Sequence, residues 1–168
     1  HVFDRENLSL PISVGFSVNK ESLEVIGNEV KEITKDTLTI RDESGAIAIA
    51  GIIGGANTAV SDSTQSIAIE AAFFSPESLM NKARQYGLST DASTRFERGV
   101  DPSIQAFALE RYLDLLEEIA SFKLIGCNKL EKKTNFAKKI TLNYQDFESF
   151  AGVKISKKFI TRTLKLLG

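Results

Sequence analysis

Between Glu70 and Pro102 the chain reads EAAFFSPESLMNKARQYGLSTDASTRFERGVDP. An apolar strand-like run, a helix start, a glycine stop and a further helix start follow one another there with almost no spacer. Ser75-Pro76-Glu77-Ser78 carries the start signal, because a serine oxygen can accept an early unpaired N–H and the fixed φ of proline suits the first helical position. The spacing predicts one helix from there to Gly87, whose freedom at positive φ lets it close a helix. Asp91 is then predicted to cap a short helix that stops at Gly99, and Asp101-Pro102 to open a third. In that third helix Ala106, Leu109, Tyr112, Leu113, Leu116 and Ile119 recur at the helical period. A strand followed this closely by capped helices calls for an α+β architecture.

The strands of that architecture are expected upstream, over residues 8–53. Leu23 to Ile26 and Glu29 to Ile33 flank Gly27-Asn28 and read as a hairpin. Thr37-Leu38-Thr39-Ile40 alternates polar and apolar, as a half-buried strand does, and Asp42-Glu43-Ser44-Gly45 is a turn. Ala46 to Ile53 is nearly all apolar, which predicts a strand covered on both faces. Gly54-Gly55-Ala56-Asn57 interrupts it, and a polar loop runs to Gln65. Ile67 to Phe74 returns to a buried strand with Glu70 inside it. A carboxylate in such a run must be paired, hydrogen-bonded or turned into a pocket.

The 168 residues suffice for one core, or one core and a fragment of another. The net charge of −1 hides a division. Residues 1–122 hold 10 Lys/Arg against 19 Asp/Glu, and residues 123–168 hold 11 against 3. The basic end reads either as a solvated lysine-rich segment or as an RNA-facing surface. Residues 126–139 read as a polar linker. Beyond it, Ile140-Thr141-Leu142 suggests a short strand, Tyr144 to Phe150 with Gly152 a short helix, and Ser156 the cap of a last helix to Leu167. The first residue is His, and the tail stops as its second helix closes, so a piece of a longer polypeptide is expected. No apolar run approaches membrane-spanning length, and no signal-peptide pattern opens the chain.

Several chemistries lack their residues. Gly51-Ile52-Ile53-Gly54-Gly55 has neither a Lys-Ser/Thr ending nor a paired G-x-G-x-x-G, so no phosphate loop is expected. One His and one Cys do not make a typical zinc site. The only His is residue 1, which leaves no convincing Ser/His/Asp set. The single Cys127 reads as an ordinary structural thiol in a reducing cytoplasm. Composition and spacing alone stop at a soluble α+β module.

The motifs go further. Gly54-Gly55, Glu70, Ala72-Phe73-Phe74-Ser75-Pro76, Tyr86-Gly87-Leu88 and Thr90 to Pro102 occur in the order found in the β subunit of bacterial phenylalanyl-tRNA synthetase, which this sequence resembles over essentially its whole length. His1-Val2-Phe3-Asp4 is similar to a further element of that family. The loop after Gly54-Gly55 departs from it, with Ala56-Asn57-Thr58 where the family often has Glu or another polar residue and a His or Ser. The family's Thr-Asn element upstream of the His has no counterpart in this sequence.

The resemblance implies a layered β-sandwich-like editing module with flanking helices over residues 1–126, a linker over 127–139, and over 140–168 the start of a small helical domain, the family's fifth. It implies hydrolysis of tyrosine mischarged onto phenylalanine tRNA. Glu70 would accept the hydrogen bond of the tyrosine phenol. Thr90 and Ala92 would line the pocket, Gly54 would let backbone and substrate approach closely, and His1 would position the ester or the attacking water. Partners would be the α subunit, usually in a heterotetramer of two α and two β chains, and phenylalanine tRNA. No cofactor is implied for this segment; ATP and magnesium belong to the whole ligase, and no membrane is involved. Beside these roles stand plainer ones. Glu70 could pair with Arg84, Arg95 or Arg98, Gly54 could only make a turn, and Thr90-Asp91 could only cap a helix. Arg95, Glu97, Arg98 and Asp101 read as a salt-bridge and capping set. The competing functional class is a non-catalytic scaffold and tRNA-binding module.

Overall fold

A computed structural model describes residues 1–18, 20–130 and 139–167. The chain divides into two compact units, His1–Lys123 and Leu124–Gly168.

Among its described residues the first unit holds eight strands: β1 (Val2–Asp4), β2 (Ser13–Phe16), β3 (Glu21–Val25), β4 (Glu29–Ile33), β5 (Leu38–Asp42), β6 (Gly45–Ile49), β7 (Ile53–Gly54) and β8 (Ile67–Ile69). They form three antiparallel sheets, ordered β2-β5-β6-β7, β3-β4 and β1-β8, so the layered mixed fold expected from the sequence is present. The predicted hairpin is β3-β4. Val25 pairs with Glu29, and the loop between them places Gly27 and Asn28 at φ +100° and +62°.

Two strand expectations need correction. β5 is not half-buried: Thr39 is as buried as Ile40 and donates its hydroxyl to the Gly15 carbonyl of the neighbouring β2 at 3.1 Å. The apolar run 46–53 is covered as predicted, but it folds back on itself. Gly51 sits at φ +67°, and β7 returns against β6 with Ile53 opposite Ile49. Side chains from this doubled segment enter two cores. Ile47, Ala48 and Ala50 join Phe3, Leu8, Ile40, Phe74 and Leu79. Ile49 and Ile52 join Leu23, Val25, Ile33, Ala83 and Tyr86.

The strand expected over 67–74 lasts only from Ile67 to Ile69. Its ladder with β1 ends with Ile69 opposite Val2. The chain then leaves the sheet, and Phe74 turns into the core beside Phe96, ring centroids 5.4 Å apart.

The helix expected from Pro76 to Gly87 is two short ones, α1 (Pro76–Leu79) and α2 (Lys82–Gln85), separated by Asn81 at φ +62°. Gly87 follows at φ +66°. Ser75 occupies the cap position of α1, but its hydroxyl meets that of Ser78 instead of a backbone amide. α3 (Asp91–Arg98) is capped by Thr90, not by Asp91. Thr90 Oγ1 accepts the Ser93 amide while Ser93 Oγ accepts the Thr90 amide, each at 3.0 Å, a reciprocal capping box with serine in the reaching role. α3 ends at Gly99 as expected. α4 (Gln105–Ile119) starts later than predicted, because Asp101 Oδ1 closes a turn on the Ser103 amide and hydroxyl first. Leu109, Tyr112, Leu113 and Leu116 of α4 are half-buried, whereas Ala106 and Ile119 are exposed.

In the second unit, Ile140-Thr141-Leu142 is not a strand, and Ile140 is exposed. α5 (Tyr144–Ala151) is capped by Asn143 and closed by Gly152 at φ +66°. α6 (Lys157–Leu167) begins after Ser156, whose hydroxyl accepts the Phe159 amide at 3.3 Å. Ile160 is its buried residue, and Lys157 Nζ stands 4.9 Å from the centre of the Tyr144 ring. Cys127 is exposed, unlike the buried small side chain that an unpaired cysteine usually is. The linker expected over 127–139 falls mostly on residues 131–138, outside the described residues.

Candidate functional site

β1 and β8 bring the first residue and Glu70 together. The His1 amine donates to the Glu70 carbonyl and the Glu70 amide to the His1 carbonyl, both at 2.8 Å. This reciprocal pair extends the β1-β8 ladder by one step. Residues opposite each other in an antiparallel ladder project to the same face, as do residues two apart along a strand. His1, Phe3 and Glu70 therefore share a face. The His1 imidazole lies edge-on to the Phe3 ring, with centroids 4.6 Å apart and planes at 64°. Phe3 itself is core.

The imidazole also rests on Gly54, in β7. A Cβ built on Gly54 would come within 3.0 Å of His1 Nε2 and Cε1 and 3.4 Å from Cδ2. Gly54 is fixed by Ile26, whose amide donates to the Gly54 carbonyl at 3.0 Å, and by its pairing with Ala48.

Glu70 is half-buried, and burial pushes its carboxyl above the ordinary value of 4.5, while the positive α-amino group of His1 pulls it partly back. Among the described residues no ion pair joins it to Arg84, Arg95 or Arg98. Arg95 instead lies 3.6 Å from Asp91, and Glu97 accepts the Asn81 amide at 3.3 Å. A desolvated carboxylate with no arginine or lysine paired to it is an acceptor held ready for a donor.

Thr90 reaches this region through the turn before β7. Its hydroxyl donates to the Ile52 carbonyl at 2.8 Å, two residues from Gly54. Ala92 follows Thr90 at the start of α3 and is half-buried. The fold thus joins His1 to Glu70 and to Gly54 and ties Thr90 to Ile52, two residues from Gly54, whereas among the described contacts none brings Ala92 to them. A surface cleft of about 370 Å³ is lined by residues including Arg84, Leu88, Ser89, Ser93, Thr94 and Glu97, and none of His1, Gly54, Glu70, Thr90 or Ala92 lines it.

Three contributors escaped the sequence reading. Phe3 packs edge-on against the His1 ring, a role that the motif His1-Val2-Phe3-Asp4 contained but did not assign. Ser93 completes the Thr90 cap, at the third helical position where Glu or Gln is usual. Tyr86 anchors the turn that leads to Thr90. Its hydroxyl accepts the Thr34 amide at 3.0 Å and meets the Thr37 and Thr34 hydroxyls. Lys82 pairs with Asp36 on the same connection.

Among the described residues no group of three or more His, Cys, Asp or Glu side chains could hold a metal ion, and no helix is long and apolar enough to cross a membrane.

A family model described as the B3/4 domain matches residues 1–121. Over 100% of its length the chain is similar to phenylalanine–tRNA ligase β subunits of Idiomarina loihiensis, at 39% identity over 170 residues, and of Neisseria gonorrhoeae, at 39% over 168 residues. It covers 21% of each of these relatives. The Methylococcus capsulatus β subunit is 48% identical over 120 residues, 71% of this chain and 15% of the relative. The chain thus spans about a fifth of the length of the curated relatives it matches end to end.

Proposed function

Because this chain belongs to the B3/4 domain family, in the form carried by bacterial phenylalanine–tRNA ligase β subunits, we propose that it is an editing module that hydrolyses tyrosine wrongly esterified to phenylalanine tRNA. The need is physical. A synthetic pocket shaped for phenylalanine rejects an isostere with one added hydroxyl only weakly. A second pocket that requires that hydroxyl sorts the two in the opposite sense.

The observation that carries this reading is Glu70, a desolvated carboxylate with no arginine or lysine paired to it among the described residues, locked beside His1 by two reciprocal backbone bonds. The phenol of tyrosine donates to it; phenylalanine leaves it buried and unpaired, at a cost of about 1–3 kcal/mol or more. Thr90 and Ala92 form the wall along the ring, the small Ala92 leaving room for it. Water attacks the ester carbonyl, the bond to the ribose oxygen breaks, and the proton passes to that oxygen, which releases tyrosine and free tRNA. The His1 imidazole positions the water or the ester. The parent ligase works in the cytoplasm with its α subunit in an α₂β₂ assembly, and its ATP and magnesium serve aminoacylation elsewhere.

The test is deacylation of tyrosyl-tRNA by the intact ligase carrying Thr90→Trp. An indole at this wall should abolish hydrolysis without altering aminoacylation. Unchanged hydrolysis would remove Thr90 from the pocket.

A second reading is favoured by α6, where Lys157, Lys158, Arg162 and Lys165 line one surface groove with Thr161 and Leu166. In a segment with 11 basic against 3 acidic residues this face suits a nucleic-acid backbone. It makes the chain a tRNA-binding scaffold in addition to, or in place of, a hydrolytic module.

A further inference from the structure

We propose that Gly54 acts as the seat of the His1 imidazole, not as a point of contact with substrate, and that Phe3 sets the orientation of the seated ring. Both are then positioning residues for the hydrolysis proposed above, and the inference rests on that reading.

Three neighbouring glycines separate by what each one requires. Gly51 has φ +67°, a conformation that side chains other than glycine's disfavour. Gly55 lies outside that region, but a Cβ there would meet the Ile47 carbonyl oxygen at 2.8 Å and Leu23 Cδ1 at 3.0 Å, so it lets two strands approach. Gly54 also lies outside that region and is paired in β7, where any residue is at home. Its three nearest would-be neighbours all belong to one side chain, the His1 ring. The missing Cβ is therefore explained neither by backbone conformation nor by strand packing. It is explained by the imidazole that fills the space.

His1 is exposed, and its backbone is held while its ring is not. Its amine and carbonyl are both committed to Glu70 at 2.8 Å, so only side-chain rotation remains. The edge contact with buried Phe3 selects one rotation, and Gly54 accepts it. Nε2, the ring atom able to reach a water or an ester oxygen, is among the atoms over Gly54. A methyl at position 54 would swing the ring off Phe3 and carry Nε2 away from the face that Glu70 shares.

The decisive experiment is a double-mutant cycle on tyrosyl-tRNA deacylation by the intact ligase. Gly54→Ala should lower kcat about as far as His1→Ala does, with KM nearly unchanged, and should add nothing in the His1→Ala background. Phe3→Leu should lower kcat in the same direction. Additive losses, or a loss confined to KM, would make Gly54 a substrate contact and overturn the proposal. Nuclear magnetic resonance of this chain gives a readout that does not need activity, because His1 is its only histidine. In Gly54→Ala and in Phe3→Leu the imidazole carbon-bound proton resonances should move toward free-histidine values, and unmoved resonances in Gly54→Ala would overturn the proposal. If Gly54→Ala fails to fold, the His1→Ala/Gly54→Ala pair should fold again, and its failure would equally overturn it. A wild-type ligase that leaves tyrosyl-tRNA intact would sink the editing reading instead, and the resonance arm would still decide the role of Gly54.

Discussion

Thr90 Oγ1 donates to the Ile52 carbonyl at 2.8 Å and accepts the Ser93 amide at 3.0 Å. One hydroxyl thus caps α3 and ties it to the turn that leads into Gly54. Its hydrogen-bonding capacity is largely used within the protein, which leaves the methyl group as the part of the side chain free for the proposed pocket wall. Thr90→Val should cost about 1–2 kcal/mol in urea unfolding, the usual scale of a lost cap. Thr90→Ser should recover most of that stability. A Thr90→Val chain as stable as the wild type would show that neither bond holds α3 in place.

Glu70 and Glu21 should respond to pH with opposite signs. Burial raises the Glu70 carboxyl, so the folded state favours its protonated form. That stabilisation is complete below the ordinary value of 4.5 and is lost as pH rises through the raised value. Glu70→Gln should remove this fall and be the more stable protein at neutral pH. Glu21 is also pushed up by burial, but hydrogen bonds from Arg41 and Ser17 outweigh it and leave the carboxyl below 4.5. Its contribution is present above 4.5 and is lost as pH falls through the lowered value. Glu21→Gln should therefore flatten the acid limb of the stability curve, measured by denaturation at a series of pH values.

Tyr86 joins α2 to the β4-β5 connection with a hydroxyl that serves Thr34 and Thr37 inside the core. Tyr86→Phe keeps the ring but leaves the Thr34 amide without its acceptor and the buried Thr37 hydroxyl with only that of Thr34, at a cost of about 1–3 kcal/mol. Thr37→Val should cost a similar amount, and the two together less than their sum, because they break one network. Additive losses in chemical denaturation would separate the two groups.

Much of this architecture was legible because local signals and tertiary contacts agree. Gly27-Asn28, Gly99, Gly152 and Ser156 each mark the turn or cap they make. Where tertiary partners decide, the sequence fell short. Thr39 is polar yet buried, its hydroxyl spent on the Gly15 carbonyl of β2, and the strand around Glu70 leaves the sheet after Ile69. Asp91 looks like a cap, but the serine at position 93 favours Thr90 through a box that most sequences build with Glu. The pocket residues came from motif order, not from periodicity. The contact between His1 and Gly54 was invisible because it joins residues far apart in sequence, and a glycine records only that something else needs the space.

The basic face of α6 makes a separate prediction about affinity. Lys158→Glu with Arg162→Glu should weaken binding of phenylalanine tRNA and reduce the slope of log affinity against log salt by about 1–2, as expected for lost phosphate contacts. An unchanged slope in filter binding or fluorescence titration would place the RNA elsewhere.

The account turns on whether Glu70 reads the phenol. The most direct measurement is the ratio of kcat/KM for tyrosyl-tRNA to that for phenylalanyl-tRNA deacylation, in the intact ligase with and without Glu70→Ala. Loss of a hydrogen bond to a charged acceptor, worth about 1.5–3 kcal/mol, should shrink that ratio by roughly 10- to 100-fold. A ratio that survives Glu70→Ala unchanged would contradict the assignment of Glu70 as the group that recognises tyrosine.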